Sequence, residues 1–133
     1  MAEPNSSALR GARLLVVEDE YTIATDLARA LEEAGVQVVG PAGSVPQALR
    51  LISEAQDIHG AVLDIRLRDE RVYPVADVLR QRGIPFVFAT GYEGWVIPPA
   101  YADVPRCEKP VDTSELARVL AVNSRPEIGR AHV

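Results

Sequence analysis

Ala61-Val62-Leu63-Asp64-Ile65 is an apolar, β-branched run interrupted by one acid. It has the length and composition of a strand buried on both faces, the kind that parallel sheets contain. Three other apolar runs lead in the same way into a polar group. Arg13-Leu14-Leu15-Val16-Val17 runs into Glu18-Asp19-Glu20, Ile84-Pro85-Phe86-Val87-Phe88-Ala89 into Thr90-Gly91-Tyr92, and Val104 to Cys107 into Glu108-Lys109-Pro110. A further strand, Val36-Gln37-Val38-Val39, has no such ending.

Helical patterns separate these strands. Ile23, Leu27, Ala30, Leu31 and Ala34 recur at helical spacing, and Gly35 supplies a C-terminal stop. Ser44-Val45-Pro46-Gln47 has the spacing of a capping box, with proline in the tolerated first turn, ahead of Ala48, Leu49 and Ile52. The charged stretch Arg66 to Arg71 reads as a loop, followed by a helix from Tyr73 to Arg82 that Gly83 ends. Trp95 and the pair Pro98-Pro99 fall in a segment where any helix is short or distorted. Asp112-Thr113-Ser114-Glu115 caps a last helix that buries Leu116, Val119 and Leu120. Residues 1–10 and 124–133 read as loose tails around one domain over residues 11–123.

Alternating strands and helices imply an α/β fold, a doubly wound five-stranded parallel sheet with helices on both faces and an irregular fourth helix. Ligands in such sheets bind beyond the carboxyl ends of the strands. Glu18, Asp19, Asp64, Thr90 and Lys109 are therefore expected to converge, and equal intervals of 45 residues separate Asp19 from Asp64 and Asp64 from Lys109. Singly, each has an ordinary structural explanation: acids before a helix, a turn cap, a strand-end hydroxyl, an exposed lysine. Jointly they form the oxygen-rich surroundings that suit Mg2+. Asp19 and Asp64 are candidate direct ligands, Glu18 a ligand directly or through water, and the backbone carbonyl of Arg66 a candidate third protein ligand. Asp64 has the chemistry of a nucleophile toward phosphorus, Lys109 supplies a compact positive charge to a phosphoryl oxygen, and Thr90 a hydroxyl.

Composition bounds the rest. The 133 residues have room for one domain, no apolar run approaches the ~18 residues of a membrane span, and the N-terminus lacks a secretory pattern, so a cytoplasmic protein without membrane insertion is expected. A formal charge of −5 disfavours nucleic acid as a partner, and the single cysteine, Cys107, reads as a small buried hydrophobe.

Over residues 12–122 these motifs resemble the receiver domains of bacterial two-component response regulators. The resemblance implies a flavodoxin-like sheet of order 2-1-3-4-5, with Glu18 and Asp19 as the acidic pair, Asp64 as phosphoacceptor, Thr90 as switch hydroxyl, Lys109 followed by proline, and Mg2+ as cofactor. It further implies a sensor histidine kinase or phosphotransfer protein as partner, and a downstream protein partner or a role as phosphate sink. Phe88-Ala89-Thr90-Gly91-Tyr92 is similar to the signature of the FAT GUY subclass, many of whose members are stand-alone receivers, and adds Tyr92 as a switch residue. Such a protein is a phosphoacceptor, not an enzyme, apart from its own phosphorylation and dephosphorylation. Three departures stand out: Arg106 occupies the place of the usual aromatic switch residue, prolines interrupt the fourth helix, and Glu18 replaces the commoner aspartate. Competing readings are a haloacid-dehalogenase-like phosphatase, whose second acid is here Arg66, and a receiver-like module that binds partners without phosphorylation.

Overall fold

The computed structural model describes residues 9–91 and 97–120. Tyr92, Trp95 and most of both expected tails lie outside the described residues. Five strands, β1 (Arg13–Val17), β2 (Gln37–Ala42), β3 (Gly60–Asp64), β4 (Phe86–Thr90) and β5 (Arg106–Glu108), form one parallel sheet in the order β2-β1-β3-β4-β5. Helices α1 (Tyr21–Glu33), α2 (Val45–Glu54) and α3 (Tyr73–Gln81) alternate with the strands, and residues 113–120 form α4. This is the flavodoxin-like arrangement expected.

The two-residue period of each strand sends alternate side chains to opposite faces, and so builds two cores. Leu15, Val17, Leu63 and Phe88 pack with Ala48 and Ile52 of α2 and Val75 and Leu79 of α3. Leu14, Val16, Val62 and Val87 pack with Leu27 and Leu31 of α1 and with Leu116 and Leu120 of α4. Leu9, inside the stretch expected to be a loose tail, is buried in this second core.

The local stop and start signals act as their chemistry requires. Gly35, at a φ of +89°, follows α1, and the Val36 N–H donates to the Leu31 carbonyl, which satisfies a helix-end acceptor. Ser44 Oγ accepts the Gln47 N–H at the start of α2, and Asp112 Oδ1 accepts the Ser114 N–H at the start of α4.

One segment differs from the reading of the sequence. The charged stretch expected as a loop forms a small antiparallel ribbon, Arg66–Leu67 against Glu70–Arg71. Leu67 is the reason: it is buried with Ile65 and Val72 in the first core, so the chain must fold back over it. The fourth helix is irregular, as its prolines predict: among the described residues it is a 3-10 turn, Pro99–Tyr101. Tyr101 stacks on Tyr73 of α3 at 4.6 Å between ring centroids and lies edge-on to Phe88 at 6.3 Å. Its hydroxyl donates to Asp77, the Arg80 guanidinium lies 5.5 Å from its ring, and Arg80 pairs with Asp103 at 2.6 Å. The segment is thus fastened to α3 by stacking and charge rather than by helical periodicity.

One irregularity in the sheet serves the site directly. The β1–β2 register shifts between Leu15 and Val17, where β2 carries one extra residue between Val39 and Ala42. Beyond the shift the Ala42 carbonyl accepts the Glu18 N–H at 2.8 Å. Gly40 has a φ of +101°, and a Cβ there would lie 2.8 Å from Ala42 N and 3.0 Å from Val16 O. Both neighbours are backbone and cannot yield cheaply. Gly40→Ala is expected to lower stability by about 2–3 kcal/mol, measured as a lower urea midpoint. A midpoint equal to wild type would show that the bulge tolerates a side chain.

Candidate functional site

Parallel register places the strand ends side by side: Val17 is opposite Leu63, Asp64 opposite Ala89, and Thr90 opposite Glu108. The residues just past these ends consequently meet over one edge of the sheet. Glu18 is the one buried polar or charged residue among the described residues, with 5% exposure. Its Oε2 accepts the Glu20 N–H at 3.0 Å, and its Oε1 pairs with Lys109 Nζ at 2.8 Å. The same ammonium lies 3.3 Å from Asp64 Oδ2. Lys109 thereby joins the ends of β1, β3 and β5, and its own N–H donates to the Thr90 carbonyl at 2.8 Å, tying in β4.

Asp19 is held from another direction. Its Oδ2 accepts the Arg68 N–H at 2.6 Å, a charge-assisted bond from the ribbon. Asp64 Oδ1 faces the Arg66 N–H at 3.4 Å. Oxygens of Glu18, Asp19 and Asp64 lie within 4.8 Å of one another. Three carboxylates around one ammonium leave excess negative charge in a partly buried hollow, and an all-oxygen donor set of this kind fits a hard divalent cation.

The protonation chemistry registers that excess. Burial, then repulsion from Glu18, pushes the Asp64 carboxyl up to about 7 against the opposing pull of Lys109. Burial of Lys109 favours the neutral amine, but its bond to Glu18 and the charges of Asp64 and Glu18 outweigh this and raise its pKa. The lysine therefore stays an ammonium, while Asp64 awaits a further positive charge to ionise fully.

The structure brings together Glu18, Asp19, Asp64 and Lys109, with Thr90 half-buried at the adjoining strand end. Arg66 enters through its backbone beside Asp64. Arg106 is exposed on β5, opposite Phe88 in register, so no aromatic projects from that position. Phe88 instead meets the rings of Phe86 at 5.9 Å, Tyr73 at 6.0 Å and Tyr101 at 6.3 Å. Tyr92, the remaining expected switch residue, lies outside the described residues. Sequence reasoning missed the Arg68 N–H, because a backbone donor leaves no mark on residue type. It also missed Tyr101, although an aromatic two residues after Pro98-Pro99 is a legible anchor.

No family model matches the chain. The solution structure of SdrG from Sphingomonas melonis Fr1 matches with a TM-score of 0.74 and 38% identity, covering 88% of this chain and 98% of that one. A BeF3-activated conformation of SdrG matches with a TM-score of 0.68 and 37% identity, over 84% and 96%. A response regulator receiver protein from Sinorhizobium medicae shares the fold, with a TM-score of 0.69 at 23% identity over 86% and 94%. In sequence the chain is 33% identical over 81 residues to the phyllosphere-induced regulator PhyR of Methylorubrum extorquens, over 59% of this chain and 30% of PhyR. The match thus spans less than a third of that curated relative. The chain belongs to the response regulator receiver domains.

Asp64 yields a testable pH dependence. Its carboxyl is protonated up to about 7 when folded but ionises near 3.8 when free, so the metal-free folded state binds the extra proton between these values. Stability is then expected to fall as pH rises from about 4 to 7. Asp64→Asn removes this contribution and is expected to be about 2 kcal/mol more stable than wild type at pH 7.5 without divalent cations. Denaturant unfolding at several pH values checks this, and equal stabilities at pH 7.5 would contradict it.

Proposed function

We propose that the chain is a phosphoacceptor module of the FAT GUY type in two-component signalling, with Asp64 accepting a phosphoryl group from a phosphohistidine. The observation that carries the reading is the position of Asp64, 3.3 Å from the Lys109 ammonium and within 4.8 Å of two further carboxylates. An Asp64 oxygen attacks phosphorus as the P–N bond to histidine breaks, and the electron pair leaves with the imidazole nitrogen, which takes up a proton. An acyl phosphate results. Water later attacks phosphorus, giving inorganic phosphate and restoring the carboxylate.

Glu18, Asp19, Asp64 and the Arg66 carbonyl would hold Mg2+, which when bound neutralises charge on the phosphoryl oxygens. Lys109 stays protonated and offers an N–H to the incoming group, and its bond to Glu18 holds it aimed at the end of β3. The Thr90 hydroxyl, at the adjoining strand end, is the sensor of the added phosphate. Its movement reorders the segment from Gly91 to Asp103, whose far end Tyr101 anchors on α3. With Arg106 in the usual aromatic place, a ring swinging inward from β5 is not the transmission step.

The donor is a sensor histidine kinase or a phosphotransfer protein. A cavity of about 360 Å3, lined by Ile23, Leu27, Ala89, Pro110 and Val111, opens beside Glu18 and Lys109. Tyr21 and Ile23 leave apolar surface exposed in the first turn of α1, and Ile23 also lines the cavity. A phosphatase of the haloacid-dehalogenase type is disfavoured because the position two residues after Asp64 is Arg66, which provides no general acid. The signal passes on by partner binding, with a phosphate sink as the other outcome.

Two experiments follow. Incubation with Mg2+ and a small phosphodonor is expected to give base-labile, acid-stable label on wild type and none on Asp64→Asn; equal labelling of both removes Asp64 from this role. Ile23→Asp is expected to slow transfer from a phosphorylated partner protein by about 10-fold while leaving labelling by the small donor unchanged. Loss of both together would place Ile23 in the fold rather than in docking.

A further inference from the structure

The N-terminus of α2 has an uneven set of hydrogen-bond donors. Its third residue, Gln47, donates its N–H to Ser44 Oγ, and its second residue, Pro46, has no N–H to donate. The first residue, Val45, is left with a donor that the helix itself cannot satisfy. Glu70 Oε2 accepts it at 2.9 Å. Glu70 is not adjacent in sequence: it stands on the return strand of the ribbon, 25 residues away, and its charge faces the positive end of the α2 dipole.

The other strand of that ribbon and its turn carry the groups that meet the site. Arg68 at the turn holds Asp19 through its N–H, and Arg66 faces Asp64. Leu67 pairs with Glu70 in register. Asp19, Gly43, Ser44, Arg68 and Glu70 line one hollow of about 330 Å3, so the α2 tie and the Asp19 bond are two sides of the same enclosure.

We propose that Glu70 is a positioning residue for the cation site. By fastening the ribbon to α2, it sets the Arg68 N–H against Asp19 and the Arg66 backbone beside Asp64. Cation affinity is thereby coupled to the seat of α2. Glu70 touches neither the cation nor the phosphoryl group. This inference rests on the phosphoacceptor reading for its metal, though not for the Arg68–Asp19 bond.

The test compares Glu70→Ala, Glu70→Gln and Ser44→Ala with wild type by amide NMR, first without metal and then during Mg2+ titration. Without metal, the Arg68 amide in wild type is expected far downfield, as a 2.6 Å bond to a carboxylate requires. It moves upfield in Glu70→Ala and keeps its place in Glu70→Gln, which retains an acceptor oxygen. Mg2+ affinity falls about 10-fold in Glu70→Ala, the usual scale for losing an outer support of a ligand, and recovers to within about 3-fold in Glu70→Gln. The Mg2+ concentration for half-maximal phosphorylation rises, while the rate at saturating Mg2+ stays near that of wild type. Ser44→Ala weakens the same helix start and lowers thermal stability, yet leaves Arg68 and Mg2+ affinity unchanged. An Arg68 amide unmoved in Glu70→Ala overturns the proposal, as does an equal loss of affinity in Ser44→Ala. A wild type that binds no Mg2+ would remove the phosphoacceptor reading, and the metal-free Arg68 amide would then decide the positioning by itself.

Discussion

The Lys109 ammonium lies between Glu18 Oε1 at 2.8 Å and Asp64 Oδ2 at 3.3 Å, and the arrangement of the strand ends is organised around that bridge. One cation serves two acids while Asp19 adds a third carboxylate nearby, so charge is left unbalanced in a place where water screens it poorly. Burial alone makes such a cluster unfavourable. Burial of Asp64, then repulsion from Glu18, raises its carboxyl against the pull of Lys109, so the site without a cation favours the protonated acid.

Holding that cluster together is the task of features that look incidental in isolation. The β2 bulge at Gly40 presents the Ala42 carbonyl to Glu18, and the ribbon presents the Arg68 N–H to Asp19. Both are backbone groups on segments whose own anchoring is apolar or terminal: Ala42 and Leu67 are buried, and Glu70 sits on the N-terminus of α2. Glu18 is therefore seated through its own N–H on a backbone acceptor, and the Asp19 carboxylate is oriented by a backbone donor that cannot titrate.

Most of the fold was legible because its strands are near-continuous apolar runs and its helices carry ordinary caps. Ser44, Asp112 and Gly35 announce their positions through side-chain chemistry or the lack of a side chain. Glu18, Asp19, Asp64 and Lys109 were legible as a site because parallel topology forces the ends of such strands together. The ribbon was not, since two-residue strands have no periodicity and Leu67 is a single apolar residue among charges. Nor was the fastening of Tyr101 to Tyr73, Asp77 and Arg80, which joins residues more than twenty positions apart without any repeating pattern. Arg106 is visible in the sequence as a departure from the family pattern, whereas the packing of Tyr101 depends on where the 3-10 turn falls.

The site and the 3-10 turn share one strand as neighbour: Phe88 and Thr90 both lie on β4, and Phe88 meets the Tyr101 ring that packs on α3. The proposed chemistry turns on the balance at Asp64 between burial and Glu18 on one side and Lys109 on the other. Carbon-13 NMR of the Asp64 carboxyl, titrated with and without Mg2+, measures that directly. A midpoint near 7 without metal that moves sharply downward with Mg2+ is the result expected; a midpoint near the free value of 3.8 under both conditions would contradict the account.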